Sequence, residues 1–437
     1  MKKIIIMICS AVLLVSCTSK EEKAIPVIEH QTTTQSVYDI TNELEETIEA
    51  DQKEDQIEKT YNASLSAIGD IMIHQWQMRR AYNEQTDDFD FSKGFEHVDD
   101  YLQRSDLTIG NLETTLAGKD NGIRLENSFY FKGYTGYPCF NSPEILAWNL
   151  KDIGIDILST ANNHSMDSRA NGVINTLDVL EEAGIIGVGT HRNQEEKNQI
   201  KKVEKNDIIF GFGAYTYGTN GLPVPSDRPY LVNTLDMYDD KKIQSMIEEV
   251  NAIHEAVDIT IVSIHFGNEY HAFPNQYQKD IVDALFDAGA DVILGSHPHV
   301  LQPIEIREIK EDDKTRTGVA IYSLGNFISS QMYSQEQPYN KDIGVILDIH
   351  FEKNHHSDTI IKGISFVPTL TKWTQEAISV IPVREVYETM DSTQIKLSHF
   401  EKQRLEYAYH NTHKHLMSYS EDYELDYEDY IFSVTFE

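Results

Sequence analysis

The chain has 437 residues, a 40% hydrophobic share and a formal net charge of −34 at pH 7. That length and share suffice for a large buried core. The acidity sets the surface against nucleic acid and anionic lipid headgroups, so no nucleic-acid partner is expected.

Met1-Lys2-Lys3 is a short basic start, and Ile4 to Val15 is an apolar run too short to span a bilayer comfortably. Residues 1–16 therefore read as a signal peptide. The stretch Leu14-Val15-Ser16-Cys17 resembles the lipobox of bacterial lipoproteins. That implies a diacylglyceryl group on Cys17 and an extracytoplasmic chain, lipid-anchored to the bacterial cell membrane. The other reading is an ordinary signal peptide with an incidental cysteine. With Cys9 removed and Cys17 lipidated, Cys139 has no partner, so no intrachain disulfide is expected. Residues 17–60 are polar, acidic and rich in Thr, Glu and Gln, and read as a flexible tether.

From residue 61 the pattern alternates strand and helix. Strands are predicted at 63–68, 107–109, 155–159, 185–188, 208–214, 259–264, 292–294, 319–323 and 343–351. Helices are predicted at 145–151, 172–183, 241–256 and 276–288. Repeated strand–helix–strand units argue for a layered α/β domain over 61–382, with ligands at the carboxyl ends of the strands. Residues 128–142 carry Phe129, Tyr130, Phe131, Tyr134, Tyr137 and Phe140. They read either as a wall of the crevice or as local packing. Residues 383–437 read as an acidic helical appendage, packed on the domain or hanging from it. His410 and His413 share a helix face there, but without a cysteine or a well-spaced carboxylate they read as solvated.

Polar groups follow nearly every predicted strand. The richest run is Gly295-Ser296-His297-Pro298-His299, where glycine permits a sharp turn and proline stiffens the loop between two imidazoles. The others are Gly69-Asp70, Gly110-Asn111-Leu112-Glu113, Asn162-Asn163-His164 with Asp167, His265 with Glu269-Tyr270, and Gly325-Asn326. Each has a plainer reading: Asp70 as a turn or cap residue, Asn163-His164 as a helix cap, Glu269 as a surface charge, Asn326 as a turn residue. Several histidines mixed with carboxylates and an amide suit a divalent transition metal (Mn, Zn or Fe), one or two ions. Magnesium and calcium prefer all-oxygen ligands. No Gly-x-Ser-x-Gly elbow or phosphate-binding P-loop is present, which argues against a serine hydrolase or a nucleotide kinase.

In this order the motifs resemble the CapA family, capsule synthesis proteins associated with poly-γ-glutamate, which is similar to the calcineurin-like metallophosphoesterases. The resemblance covers about Asn62 to Phe351. It implies a four-layered α/β/β/α sandwich of the metallophosphoesterase type and a metal-dependent hydrolase. It implies Asp70, Asn163, His265, His297 and His299 as metal ligands and His164 as general acid. Glu113, or else Asn111, would bridge. Asn111, Asp167, Glu269, Tyr270 and Asn326 would orient ligands or meet substrate. Where that superfamily has Asp-x-His, this chain has Asp70-Ile71-Met72, with His74 four residues beyond Asp70. The centre is therefore dinuclear with altered ligands, mononuclear, or metal-free. The expected partners are the membrane through Cys17, an anionic polymer or phosphoester substrate, and a capsule polymer synthase complex. A non-catalytic scaffold subunit is the alternative.

Overall fold

Covering both faces of a strand extends it beyond the alternation that announces it. From Leu65 onward every residue of the Thr60–Ile71 strand is buried, and it becomes an inner strand of the larger of two sheets. The computed structural model describes residues 59–436, save 237–238, 312–313 and 355–357. The expected signal peptide, Cys17 and nearly all of the tether lie outside the described residues.

The two large sheets are built from β1 Thr60–Ile71, β2 Leu107–Leu112, β3 Ile157–Ser159, β4 Ile186–Val188, β5 Lys201–Lys205, β6 Ile208–Thr216, β7 Ile259–His265 and β8 Val292–Ser296. They continue with β9 Leu301–Glu311, β10 Lys314–Leu324, β11 Asn326–Ile328, β12 Ile343–Asn354, β13 Thr359–Trp373, β14 Ile378–Pro382, β15 Asp426–Glu428 and β16 Ile431–Thr435. The first sheet runs β15-β16-β13-β12-β1-β2-β3-β4, with β11 beside β1 and β14 beside β13. The second runs β9-β10-β8-β7-β6-β5. Covering helices are α1 Ile145–Asp152, α2 Arg169–Glu182, α3 Asp240–His254, α4 Gln276–Asp287, α5 Val383–Glu388 and α6 His399–Leu416.

Alternation along each strand feeds two cores at once. Leu65 and Ile109 of the first sheet join Phe210, Ile261 and Ile321 of the second in a buried layer between the sheets. Ile68 and Leu158 face outward and cluster with Leu146 and Leu150 of α1 and Leu180 of α2. Val262 and Ile293 do the same on the other side with Val250 of α3 and Leu285 of α4. This is the expected α/β/β/α sandwich.

One crossing fixes how the sheets meet. The chain leaves the second sheet at Leu324 and enters the first at Asn326, so Gly325, at φ +65°, is the whole connection. Asp70 N–H donates to the Gly325 carbonyl at 2.9 Å. A Cβ on Gly69 would lie 1.9 Å from that oxygen, so no side chain fits there.

The C-terminal segment does not hang free. Its helices form as expected, but the chain ends in the β15–β16 hairpin where helix was expected, and β16 pairs with β13. Arg404 of α6 donates from Nε and Nη2 to the two oxygens of Asp342, both at 2.8 Å and both residues buried. Removing one partner of such a pair leaves a stranded charge. Arg404→Met is expected to lower unfolding stability by about 3–5 kcal/mol, and adding Asp342→Asn to restore most of it. Urea unfolding of the three proteins checks this. Equal stability of single variant and parent would show that the helix is not held by this pair.

Candidate metal centre

Parallel pairing brings the strand ends level. Asp70 stands in register with Asn111 on one side and Asn326 on the other. Glu113 N–H donates to the Ile71 carbonyl at 3.1 Å, which places its side chain just past the end of β1. His265 ends β7 opposite Ser296, the last residue of β8. Beyond Ser296 the loop turns back hard. His297 and His299 take φ values of 98° and 58°, a region that non-glycine residues rarely occupy. Such strain persists only where surrounding structure enforces it, and it clusters at functional sites. The neighbouring Gly295 has no room for a Cβ, which would meet the Tyr322 carbonyl at 2.1 Å.

The side chains converge. Asn111 Nδ2 donates to Asp70 Oδ1 at 2.8 Å, and Asp70 Oδ2 lies 3.0 Å from His299 Nδ1. Asn326 Oδ1 is 3.1 Å from the same nitrogen. His265 Nε2 lies 3.0 Å from Asn163 Oδ1, and its Nδ1 3.0 Å from Ser296 Oγ. Glu113 Oε1 is 3.6 Å from His265 Nε2, 3.9 Å from His299 Nε2 and 4.0 Å from His164 Nε2. Yet neither Glu113 oxygen has a hydrogen-bond partner, and His297 Nδ1 is likewise buried without one.

Those orphaned atoms test whether a cation fits. Buried polar atoms are nearly always paired, and a partnerless carboxylate among imidazoles has the donor chemistry of a transition-metal site. Three donor groups come within 4.8 Å internally: Glu113, His265 and His297; Asp70, Glu113 and His299; and Glu269, His297 and His299. Glu113 belongs to two of them, while Asn111 turns its amide to Asp70. Glu269 is exposed at the rim, yet it reaches both loop imidazoles as a candidate donor.

Protonation follows the same logic. Burial, with the nearby charges of Asp70, Glu269 and Asp167, pushes the Glu113 carboxyl well above its ordinary range. Burial and the neighbouring imidazoles push His265 well down, and His297 down to about 3. Neutral imidazole is the ligating form, and a cation reverses the pressure on the carboxyl.

His164 is set for a different task. Its Nδ1 lies 2.7 Å from Asp167 Oδ2, which also accepts the Phe140 N–H at 2.6 Å. The Phe140 ring meets His164 edge-on at 4.8 Å, so this one member of the aromatic segment borders the crevice. Phe129 and Phe131 instead pack under Arg79. Met72 is buried and supplies no donor, and its N–H bonds the Ile328 carbonyl at 2.9 Å. His74 packs edge-on against Phe140 at 5.0 Å and belongs to none of the three groups. Two neighbours escaped the sequence reading. Ser296 contacts His265, and Tyr217 lies one residue past β6 with its ring 4.7 Å from that of His297. The strand-end rule extended to β6 would have found Tyr217. His413 stacks on Phe432 at 4.9 Å and is half-buried, whereas His410 on the same helix face is exposed as expected.

Fold and donors together define a two-sheet sandwich with a carboxylate–imidazole cluster at its strand ends that could hold a metal ion. Residues 64–331 match the family described as bacterial capsule synthesis protein PGA_cap, and the chain belongs to that family. It is 28% identical over 302 residues to the PGA biosynthesis protein CapA of Bacillus subtilis (strain 168), covering 68% of this chain and 70% of that one. It is 27% identical over 275 residues to the capsule biosynthesis protein CapA of Bacillus anthracis, spanning 62% of this chain and 61% of that relative's length. Among solved structures, the calcineurin-like phosphoesterase YfkN from Bacillus subtilis aligns over 81% of this chain and 98% of its own, at 13% identity and a TM-score of 0.34.

Glu113→Gln is expected to cut retained Mn or Zn about tenfold or more. Because it also removes a partnerless buried carboxyl, the metal-free protein should be no less stable than the parent. Elemental analysis after gel filtration, paired with thermal unfolding, checks both. Full metal retention would remove Glu113 from the donor set.

Proposed function

We propose that this chain is a membrane-tethered, extracytoplasmic capsule synthesis protein whose centre hydrolyses a phosphoester or related bond. Its role lies in the synthesis or export of an anionic capsule polymer such as poly-γ-glutamate. The observation that carries the reading is Glu113, buried and partnerless, with imidazoles of His265, His299 and His164 around one of its oxygens. Asp70, Glu113, His265, His297 and His299, with Asn163 beside them, would hold one or two divalent ions, Mn, Zn or Fe. A divalent ion bound there supplies Lewis acidity toward a phosphoryl oxygen and eases ionisation of water at neutral pH.

The chain's own groups do the rest. Asp167 accepts the Nδ1–H of His164 and fixes the ring, so Nε2 faces Glu113 and the crevice. Protonated at Nε2, His164 is placed to donate that proton to a leaving oxygen. Ser296 Oγ, beside His265 Nδ1, orients the ring and leaves Nε2, next to Asn163 Oδ1, for the donor set. Purified protein should contain stoichiometric transition metal and turn over an aryl phosphate with Mn or Zn. His297→Ala with His299→Ala should abolish both. A folded parent that holds no such metal and shows no turnover with either ion would end the hydrolase reading.

A second reading is favoured by one observation: Met72 stands where a ligating histidine would complete the Asp70 position. On that reading the protein is a non-catalytic subunit of a polymer synthase or export complex. Capsule that persists in cells carrying the folded double variant would select it. The tether is tested separately. Cys17→Ala should move the protein from the membrane fraction to the soluble extracytoplasmic fraction, and unchanged membrane retention would refute lipid anchoring.

A further inference from the structure

Beside the metal centre a cavity of roughly 450 Å³ opens between the Tyr270–Phe273 loop, the segment before β12 and the α6 helix. Tyr270 joins the two sites: it lines the cavity, and its ring lies 6.1 Å from that of His299. Much of the remaining wall comes from residues beyond 331, outside the stretch matched to the family. The C-terminal segment thus adds a chamber to the crevice.

The wall has a recognisable chemistry. Large apolar side chains normally avoid water, yet Phe273, Tyr339 and Tyr407 are 53%, 43% and 42% exposed around this one opening. The α6 side chains Asn411, Thr412, Lys414 and His415 stand among them, and buried Leu301 and Ile343 also line the opening. Partly exposed aromatic rings, each backed on one side by a neighbouring ring or cation, interleaved with amide and hydroxyl groups match a saturated ring that has apolar C–H faces and an equator of hydroxyls.

We propose that this cavity is a sugar-binding subsite that seats a pyranose ring of the substrate next to the metal centre. The proposal rests on the hydrolase reading, and makes the scissile group a phosphoester attached to, or carried beside, a sugar. Two other occupants fit worse. A polyanion would find Lys414 in the lining, with Lys341 over the Tyr270 ring and Arg404 already paired with Asp342, on a chain of net charge −34. A planar nucleobase needs an open slot between parallel rings, and Tyr339 already stacks on Tyr270 at 5.2 Å and 22°.

Calorimetric titration of the full chain, with and without Mn, tests this. The probes are methyl β-D-glucopyranoside, N-acetylglucosamine 1-phosphate, adenosine monophosphate and poly-γ-glutamate. Sugar binding is expected. Tyr339→Ala and Tyr407→Ala should each weaken it about tenfold with bound metal unchanged, while Tyr407→Phe keeps most of it. The proposal is overturned if parent protein that holds metal binds neither sugar, if only the nucleotide or the polyanion binds, or if both alanine variants bind sugar as the parent does. Sugar binding that responds to these variants in protein without hydrolytic activity would support the subsite and refute the hydrolase reading alone.

Discussion

A carboxylate buried without a hydrogen-bond donor is the constraint around which the molecule is organised. Glu113 sits where the ends of the two sheets face each other, with the Asp70 carboxyl beside it and no backbone or side-chain N–H bonded to either oxygen. Leaving such a group charged in the interior costs several kcal/mol. The relief available is a proton or a cation. The imidazoles of His265 and His297, held neutral by burial and by neighbouring imidazoles, favour the cation. The rest of the sandwich can be read as the means of bringing those loops level: parallel strands that end together, glycines that let backbones touch, and a strained turn that points two histidines inward.

Much of this was visible in the residues. Parallel strands put polar groups at their carboxyl ends, so a run such as Ile-Leu-Gly-Ser-His-Pro-His carries both its secondary structure and its site. Asp70, Glu113, Asn163, His164, His265 and the loop pair all meet in the structure. What could not be read was which groups touch across the two sheets. That Asn111 turns to Asp70 while Glu113 faces the imidazoles depends on the β1–β2 register and on the distance between sheets, and neither leaves a mark in local sequence. The reach of Glu269 to His297 and His299 was hidden for the same reason: its loop folds back onto theirs through tertiary contacts such as Tyr270 N–H with the Pro298 carbonyl, at 2.7 Å.

The largest strand missed, β13, shows a different limit. It carries Gly363 and Pro368, and a proline usually demotes a strand to an edge or excludes it. Here β16 pairs with β13 as far as Phe366, and β14 begins at Thr369. Pro368 falls in the gap between those two neighbours, where its missing N–H disrupts no ladder. A local rule failed because two partners, distant in sequence, leave one vacancy between them. The same oversight made the C-terminal segment look detachable, since the strand that receives its last hairpin had not been seen.

Each half of the donor set belongs to a different sheet. Asp70, Glu113 and Asn163 ride on the first, and His265, His297 and His299 on the second. The gap a cation must fill is therefore a distance between two sheets, and Gly325 is a one-residue stitch across it. With Gly69 pressed against that stitch, backbone contact rather than side-chain packing sets the aperture. The spacing between the two halves is thus held partly by backbone atoms that belong to neither donor group.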